Sequence, residues 1–161
     1  LHGITPDEIR RFISETGAKF CLDFSHAICG ANTYNRDIYE VLSEFAALKP
    51  AMYHLCDGDV ASTCDDHRHY GEGNYDLRRL VTEFTAGNAL ITMETGHGIP
   101  TDVRPWLDDI AYLRSLLREH NAGDGRKSPE NAVFDETAFF CCAAAIFGVY
   151  FYILERKSMR H

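Results

Sequence analysis

The sequence predicts an α/β protein with parallel strands, arranged as a sheet or as part of a (β/α) barrel. Two observations carry that expectation. Short β-type runs alternate with amphipathic helical stretches three times over, after an opening helix. Each β-type run also closes on a carboxylate or an imidazole, and parallel strands direct those ends to one face.

The elements follow in order. Thr5-Pro6-Asp7-Glu8 starts a helix, with Thr5 as N-cap, Pro6 at the first helical position and Glu8 placed for a capping box. Ile9, Phe12 and Ile13 form its apolar face, and Gly17 suits the left-handed position that ends it. Ala18 to Asp23 is a short strand, closing on the polar cluster Asp23-Phe24-Ser25-His26, and Gly30 to Asn35 reads as loop. Asp37 to Leu48 returns to helical spacing through Ile38, Val41, Leu42 and Phe45, until Pro50 stops it. Ala51 to Leu55 is the second strand, finishing at His54 and passing into Cys56-Asp57-Gly58-Asp59. Beyond the loop Asp65-Asp66-His67-Arg68-His69-Tyr70-Gly71-Glu72-Gly73-Asn74, the spacing of Leu77, Leu80, Val81 and Phe84 predicts a helix ending at Gly87. Ala89 to Thr95 is the third strand, closing on Glu94. Val103 to His120 is a longer helix carrying Trp106, Leu107, Ile110, Leu113 and Leu117.

A chain of 161 residues is one domain's worth, and 45% hydrophobic with 12% aromatic residues is ordinary for a globular protein. The net charge of -8 weighs against broad attraction to phosphate backbones, which demotes nucleic acid as a partner. Six cysteines without a C-x-x-C pair, and no cationic leader at the start, lead us to expect reduced thiols in a cytoplasmic protein. Leu1 in place of Met suggests that upstream sequence is missing. Residues 1–120 form the predicted α/β unit, 121–134 a linker and 135–161 a hydrophobic C-terminal helix. Residues 138–154 hold seventeen positions without a charge, at the short edge of a membrane span. A buried or subunit-contacting helix is preferred there over an anchor, because nothing before residue 135 is membrane-directed.

The chemistry gathers at the strand ends. Asp23 (with His26 close behind), His54 and Glu94 converge if the strands are parallel, although they are far apart in sequence. Asp65 and His67, in ligand-x-ligand spacing on a loop, join them from the same face. Asp, Glu and His are hard-to-borderline ligands, so the set suits a divalent cation. The plainer alternative is that these are strand-end polar residues capping the next loop.

Taken together, Cys21-Leu22-Asp23-Phe24-Ser25-His26-Ala27, Tyr53-His54-Leu55-Cys56-Asp57, Asp65-x-His67 ahead of Gly71-Glu72-Gly73-Asn74, and Ile91-Thr92-Met93-Glu94-Thr95 resemble the xylose-isomerase-like TIM barrels. That superfamily holds sugar isomerases and epimerases alongside endonuclease-IV-type apurinic endonucleases. The resemblance spans roughly residues 5 to 120 and implies the last three βα units of the eight-unit barrel. It implies Asp23, His54 and Glu94 as three ligands of a shared divalent metal (Mn, Mg, Co or Zn), with a fourth, a Glu, on a preceding strand absent from this chain. His26, Asp65 and His67 match the ligands of an additional zinc in the endonuclease branch.

Asp66 stands where that branch usually has Arg, and Cys56-Asp57-Gly58-Asp59 replaces its Asn-Asp-Ser-Lys run. Gly73-Asn74-Tyr75-Asp76-Leu77 is closer to the isomerase ending. The resemblance therefore implies a metal-dependent isomerase or epimerase of a small sugar or sugar phosphate, with Glu94 as an acid/base group and His26 as a substrate contact or second-metal ligand. Apurinic endonuclease, and an inactive barrel fragment, are the alternatives. Three units cannot close a barrel, so a missing N-terminal half-barrel or a homo-oligomer is the expected completion. His69 and His97 fall near the same face as possible substrate contacts, and Arg68 as a possible phosphate contact. Trp106 reads as packing. Cys29, Cys56 and Cys64 lie near the site with no base assigned to activate them.

Overall fold

In the computed structural model, residues 5–86, 89–96, 102–123 and 151–152 are described. They form a mixed α/β structure of five helices and a three-stranded parallel sheet, to which one short antiparallel strand is added.

The first helix, α1 (Pro6–Thr16), begins as its sequence dictates. The Thr5 hydroxyl accepts the Glu8 N–H at 3.3 Å while the Glu8 carboxylate accepts the Thr5 N–H at 3.3 Å. Such a cap contributes about 1 kcal/mol. Gly17 closes the helix in the left-handed region, donating its N–H to Ile13 O at 2.8 Å. Strand β1 (Lys19–Asp23) follows and leads directly into α2 (Phe24–Thr33). This helix was not expected, since Gly30 to Asn35 reads as loop. Burial on nearly every side is the reason: Phe24, Ser25, Ala27, Ile28, Cys29, Gly30 and Ala31 are all buried, so no polar stripe marks a helical period.

Helix α3 (Ile38–Ala47) is capped by Asp37, which accepts the Glu40 N–H at 2.9 Å, and buries Val41, Leu42 and Phe45. After it come β2 (Met52–Leu55), α4 (Leu77–Glu83, capped by Asp76), β3 (Leu90–Met93) and α5 (Arg104–Gly123). Gly87 and His97 lie outside the described residues.

The sheet order is β3-β2-β1, all parallel and in sequence order. The register puts Leu22, Tyr53 and Ile91 in one row and Asp23, His54 and Thr92 in the next. Because side chains alternate along a strand, the two rows face opposite sides of the sheet. The first row enters the core with Phe24, Ile28, Leu42, Leu55 and Leu80. Phe24 stacks on Tyr53 at 5.6 Å between ring centroids. The second row carries the polar residues. Burying one leucine of this core contributes about 1.5–3 kcal/mol.

Strand β4 (Phe151–Tyr152) pairs antiparallel with Lys19 and Phe20 of β1. These two residues are extended, where the sequence suggests a C-terminal helix, and pairing with the open edge of β1 supplies main-chain partners that an isolated strand would lack. The rest of the 121–161 segment, beyond the end of α5, lies outside the described residues. Among the described residues, no helix is long and apolar enough to cross a membrane.

Candidate metal centre

Asp23 is the last residue of β1 and also the N-cap of α2. Its Oδ1 accepts the His26 N–H at 3.0 Å, which leaves Oδ2 turned toward two imidazoles. His26 Nδ1 lies 2.8 Å from Oδ2 and His54 Nδ1 lies 3.6 Å from it. His54, from β2, is almost fully buried, and its Nδ1 is 2.9 Å from Glu94 Oε1 just past β3. One donor atom from each of Asp23, His54 and Glu94 lies within 4.8 Å of the others. Donors bound about 2.0–2.2 Å from one cation sit roughly 3–4 Å apart, so these separations fit a divalent ion in both spacing and chemistry. Asp23, His54 and Glu94 could therefore hold a metal ion.

The electrostatics fit the same reading. Burial disfavours a charged His54, but hydrogen bonds to Asp23, Cys21 and Glu94 outweigh it and push its pKa up to about 12. A proton on His54 Nδ1 thus occupies the place between two carboxylates that a cation would take. Burial likewise works to raise the Asp23 carboxyl, yet contacts with His26 and His54 hold it well below the usual carboxylate range. Burial also raises the Cys21 thiol, so Cys21 is a neutral neighbour of His54.

The other three candidates gather beside this triad. Asp65 Oδ2 contacts His67 Nε2 closely and lies 3.3 Å from His26 Nε2. Asp65 Oδ1 accepts the Ser25 hydroxyl at 2.6 Å. His67 Nδ1 is 2.7 Å from the Glu94 carbonyl oxygen, which can only accept, so Nδ1 donates there, and Nε2 donates to Asp65 when the ring is protonated. The Asp65 contact, opposed by burial, raises the His67 pKa to about 9. His67 also holds φ at 46°, in the left-handed region where non-glycine residues are strained. The six residues form one closed circuit: Glu94, His54, Asp23, His26, Asp65, His67 and back to Glu94.

What holds the loop was not evident from sequence. Asp57, 1% exposed, accepts four backbone N–H groups: Gly58 (2.8 Å) and Tyr75 (3.2 Å) on Oδ1, Gly71 (2.8 Å) and Gly73 (3.0 Å) on Oδ2. A Cβ at Gly73 would overlap Gly58 O and Asp57 Oδ1, while Gly71 sits at φ 86°. The Gly71-Glu72-Gly73 motif is therefore the wrapping of a buried carboxylate. Its available signal was an Asp directly after a strand with a Gly-x-Gly turn following. Ser25, buried between Asp65 and Tyr75, was missed for the same reason as α2.

The remaining candidates are placed individually. Arg68 donates to Asp66 at 2.6 Å, so its charge is matched locally. Trp106 is half-buried and donates to Thr95 O at 3.0 Å. Cys29 and Cys56 are buried with pKa values raised by burial, and Cys64 is exposed; all three are free thiols. No protein-family model, curated protein or solved structure matches this chain.

Proposed function

We propose that this chain carries the metal-binding face of a xylose-isomerase-like barrel, and that it serves a metal-dependent isomerase or epimerase of a small sugar or sugar phosphate. The observation that carries this reading is the convergence of Asp23, His54 and Glu94 at the ends of three consecutive parallel strands. In a doubly wound sheet the face opposite the first helices is covered by more helices and is apolar. Here that face bears Asp23, His54 and Thr92, which favours the lumen of a barrel. Leu90, on the same face at the opposite end of the strands, is 60% exposed, which favours completion by further strands or by a second copy.

A divalent ion (Mn, Mg, Co or Zn), when bound, supplies positive charge to an oxygen that becomes anionic beside the reacting carbon. Asp23, His54 and Glu94 would hold it. Glu94 removes a proton from the carbon next to the carbonyl, and a second carboxyl group, protonated and from a strand outside this unit, delivers its own proton to the neighbouring carbon or the opposite face. His26, whose ring nitrogens face Asp23 and Asp65, would hydrogen-bond the substrate by exchanging its longer contact, the one to Asp65. Incubating the metal-loaded protein with a panel of ketoses in deuterated water tests this. Exchange at the carbon beside the carbonyl is expected. A panel without exchange, in a protein that binds metal, would reject the isomerase.

Zinc-dependent cleavage at abasic sites is the second reading, favoured by the cluster of His26, Asp65 and His67 beside the triad. The net charge of -8 and the Arg68–Asp66 pair count against a phosphate backbone as ligand. More than one tightly held zinc per chain, with chelator-sensitive nicking of abasic duplex, would select this reading instead.

A further inference from the structure

Where the loop meets α5, a second cluster of polar side chains is built that the metal centre does not use. Asp109, on α5, is 2% exposed. Its Oδ2 accepts the Thr95 hydroxyl and lies 2.7 Å from His69 Nδ1, and its Oδ1 accepts the Tyr70 N–H at 2.9 Å. The Asp109 carboxylate accepts, so His69 donates through Nδ1 and turns Nε2 away from Asp109.

The ring is fixed from other directions as well. Trp106 meets it edge-on, with centroids 5.3 Å apart at 79°, and the indole is itself anchored to Thr95 O. Gly96 lies against Nε2 at φ 79°, so close that a Cβ there would stand 2.9 Å from Nε2 and 3.1 Å from Trp106 Cζ2. The Gly96 N–H in turn donates to His67 O at 2.7 Å. Nε2 therefore sits over the backbone two residues beyond Glu94, at the ligand end of the sheet, and the side chain keeps 22% exposure. Asp109 already ties the loop through Tyr70 and the strand end through Thr95. Fixing the tautomer and orientation of an imidazole goes beyond what that tie requires, and such fixing is how proteins prepare a histidine for a ligand.

We propose that His69 contacts substrate beside the metal centre, with Nε2 hydrogen-bonding a hydroxyl of a polyhydroxylated ligand, and that Asp109 is its positioning residue. This rests on the metal-centre reading above. A hydroxyl both donates and accepts, and Gly96 and Trp106 form the walls that keep the ring in place.

The probe is xylitol, which offers hydroxyls and no carbonyl to turn over. The full chain is titrated with Zn²⁺ and then with xylitol, while the ring nitrogens of His54 and His69 are followed by long-range proton–nitrogen NMR. His54 is expected to shift with Zn²⁺, and His69, in its Nδ1–H form, to shift at Nε2 only with xylitol. His69→Gln, which spares the bonds from Asp109 to Tyr70 and Thr95, should weaken xylitol binding about five- to tenfold, the size of one hydrogen bond. Asp109→Asn should mix the two His69 tautomers. A His69 that stays silent to xylitol while His54 responds to Zn²⁺ overturns the proposal and leaves the metal centre standing. A His69 that answers inorganic phosphate and not xylitol overturns the polyhydroxylated ligand. A His54 silent to Zn²⁺ overturns the metal centre, and this inference with it.

Discussion

The strand ends and the loop supply candidate ligands of two different kinds. Asp23, His54 and Glu94 stand on or just beyond strands whose register is set by main-chain pairing, and their side chains are 16%, 4% and 9% exposed. Asp65 and His67 hang on a loop held by two buried carboxylates, chiefly Asp57 and also Asp109, and His67 holds a strained φ. Sheet-borne ligands are positioned by the fold itself, whereas loop-borne ligands are positioned by a few replaceable hydrogen bonds. The first kind suits a site whose geometry must be rigid. The second suits the part that distinguishes one reaction from another.

The sharpest way to break that contrast is to remove a strand-end ligand. Glu94→Gln or His54→Ala should lower affinity for Zn²⁺ or Mn²⁺ more than about 100-fold, beyond the ~10–100-fold typical of outer-shell partners. Competition against a chromophoric chelator measures it, and retained affinity in both variants would remove the triad from the account. Next in size is Asp57→Ala, which strips four backbone N–H groups of their acceptor. It should cost about 2–4 kcal/mol in urea unfolding. An unchanged midpoint would mean that the loop is held by something else. His67→Ala should lower metal affinity only about tenfold, because it leaves the triad intact; a loss as large as that of His54→Ala would erase the distinction between strand and loop.

The smallest effect is one of pH, in chelator-treated protein. His67 is raised from its ordinary 6.5 to about 9 by Asp65, so its stabilising contribution is complete below pH 6.5 and is lost as pH rises through 9. His54, raised to about 12, does not titrate in that window. Melting temperature should therefore fall between pH 6.5 and 9, and His67→Gln should flatten the fall. A wild-type protein with a level profile would count against the Asp65–His67 contact.

Much of this was readable from the residues alone, for identifiable reasons. Helices α1, α3 and α5 each turn one apolar stripe to the core and begin or end on recognisable residues, such as Thr5, Asp37 and Gly17. The candidate ligands Asp23, His54 and Glu94 were legible because each sits at or near a strand end, where the change from apolar run to polar loop is abrupt. Helix α2 was not, since a helix buried nearly all round shows no period and its Gly30 and Asn32 imitate a turn. Asp57 and Asp109 were not either. Both resemble ordinary surface carboxylates until the fold brings main-chain donors from 14 to 39 residues away. A side chain whose role is to bind distant backbone leaves no periodic trace.

If Asp23, His54 and Glu94 hold a divalent cation, titration calorimetry of the metal-stripped chain with Zn²⁺ will register it. Because the cation would replace the proton on His54, binding should saturate at the triad and release a proton, giving heats that change with the ionisation enthalpy of the buffer. Affinity should also weaken as pH falls. No saturable heat, or the same heat in His54→Ala, would contradict the account.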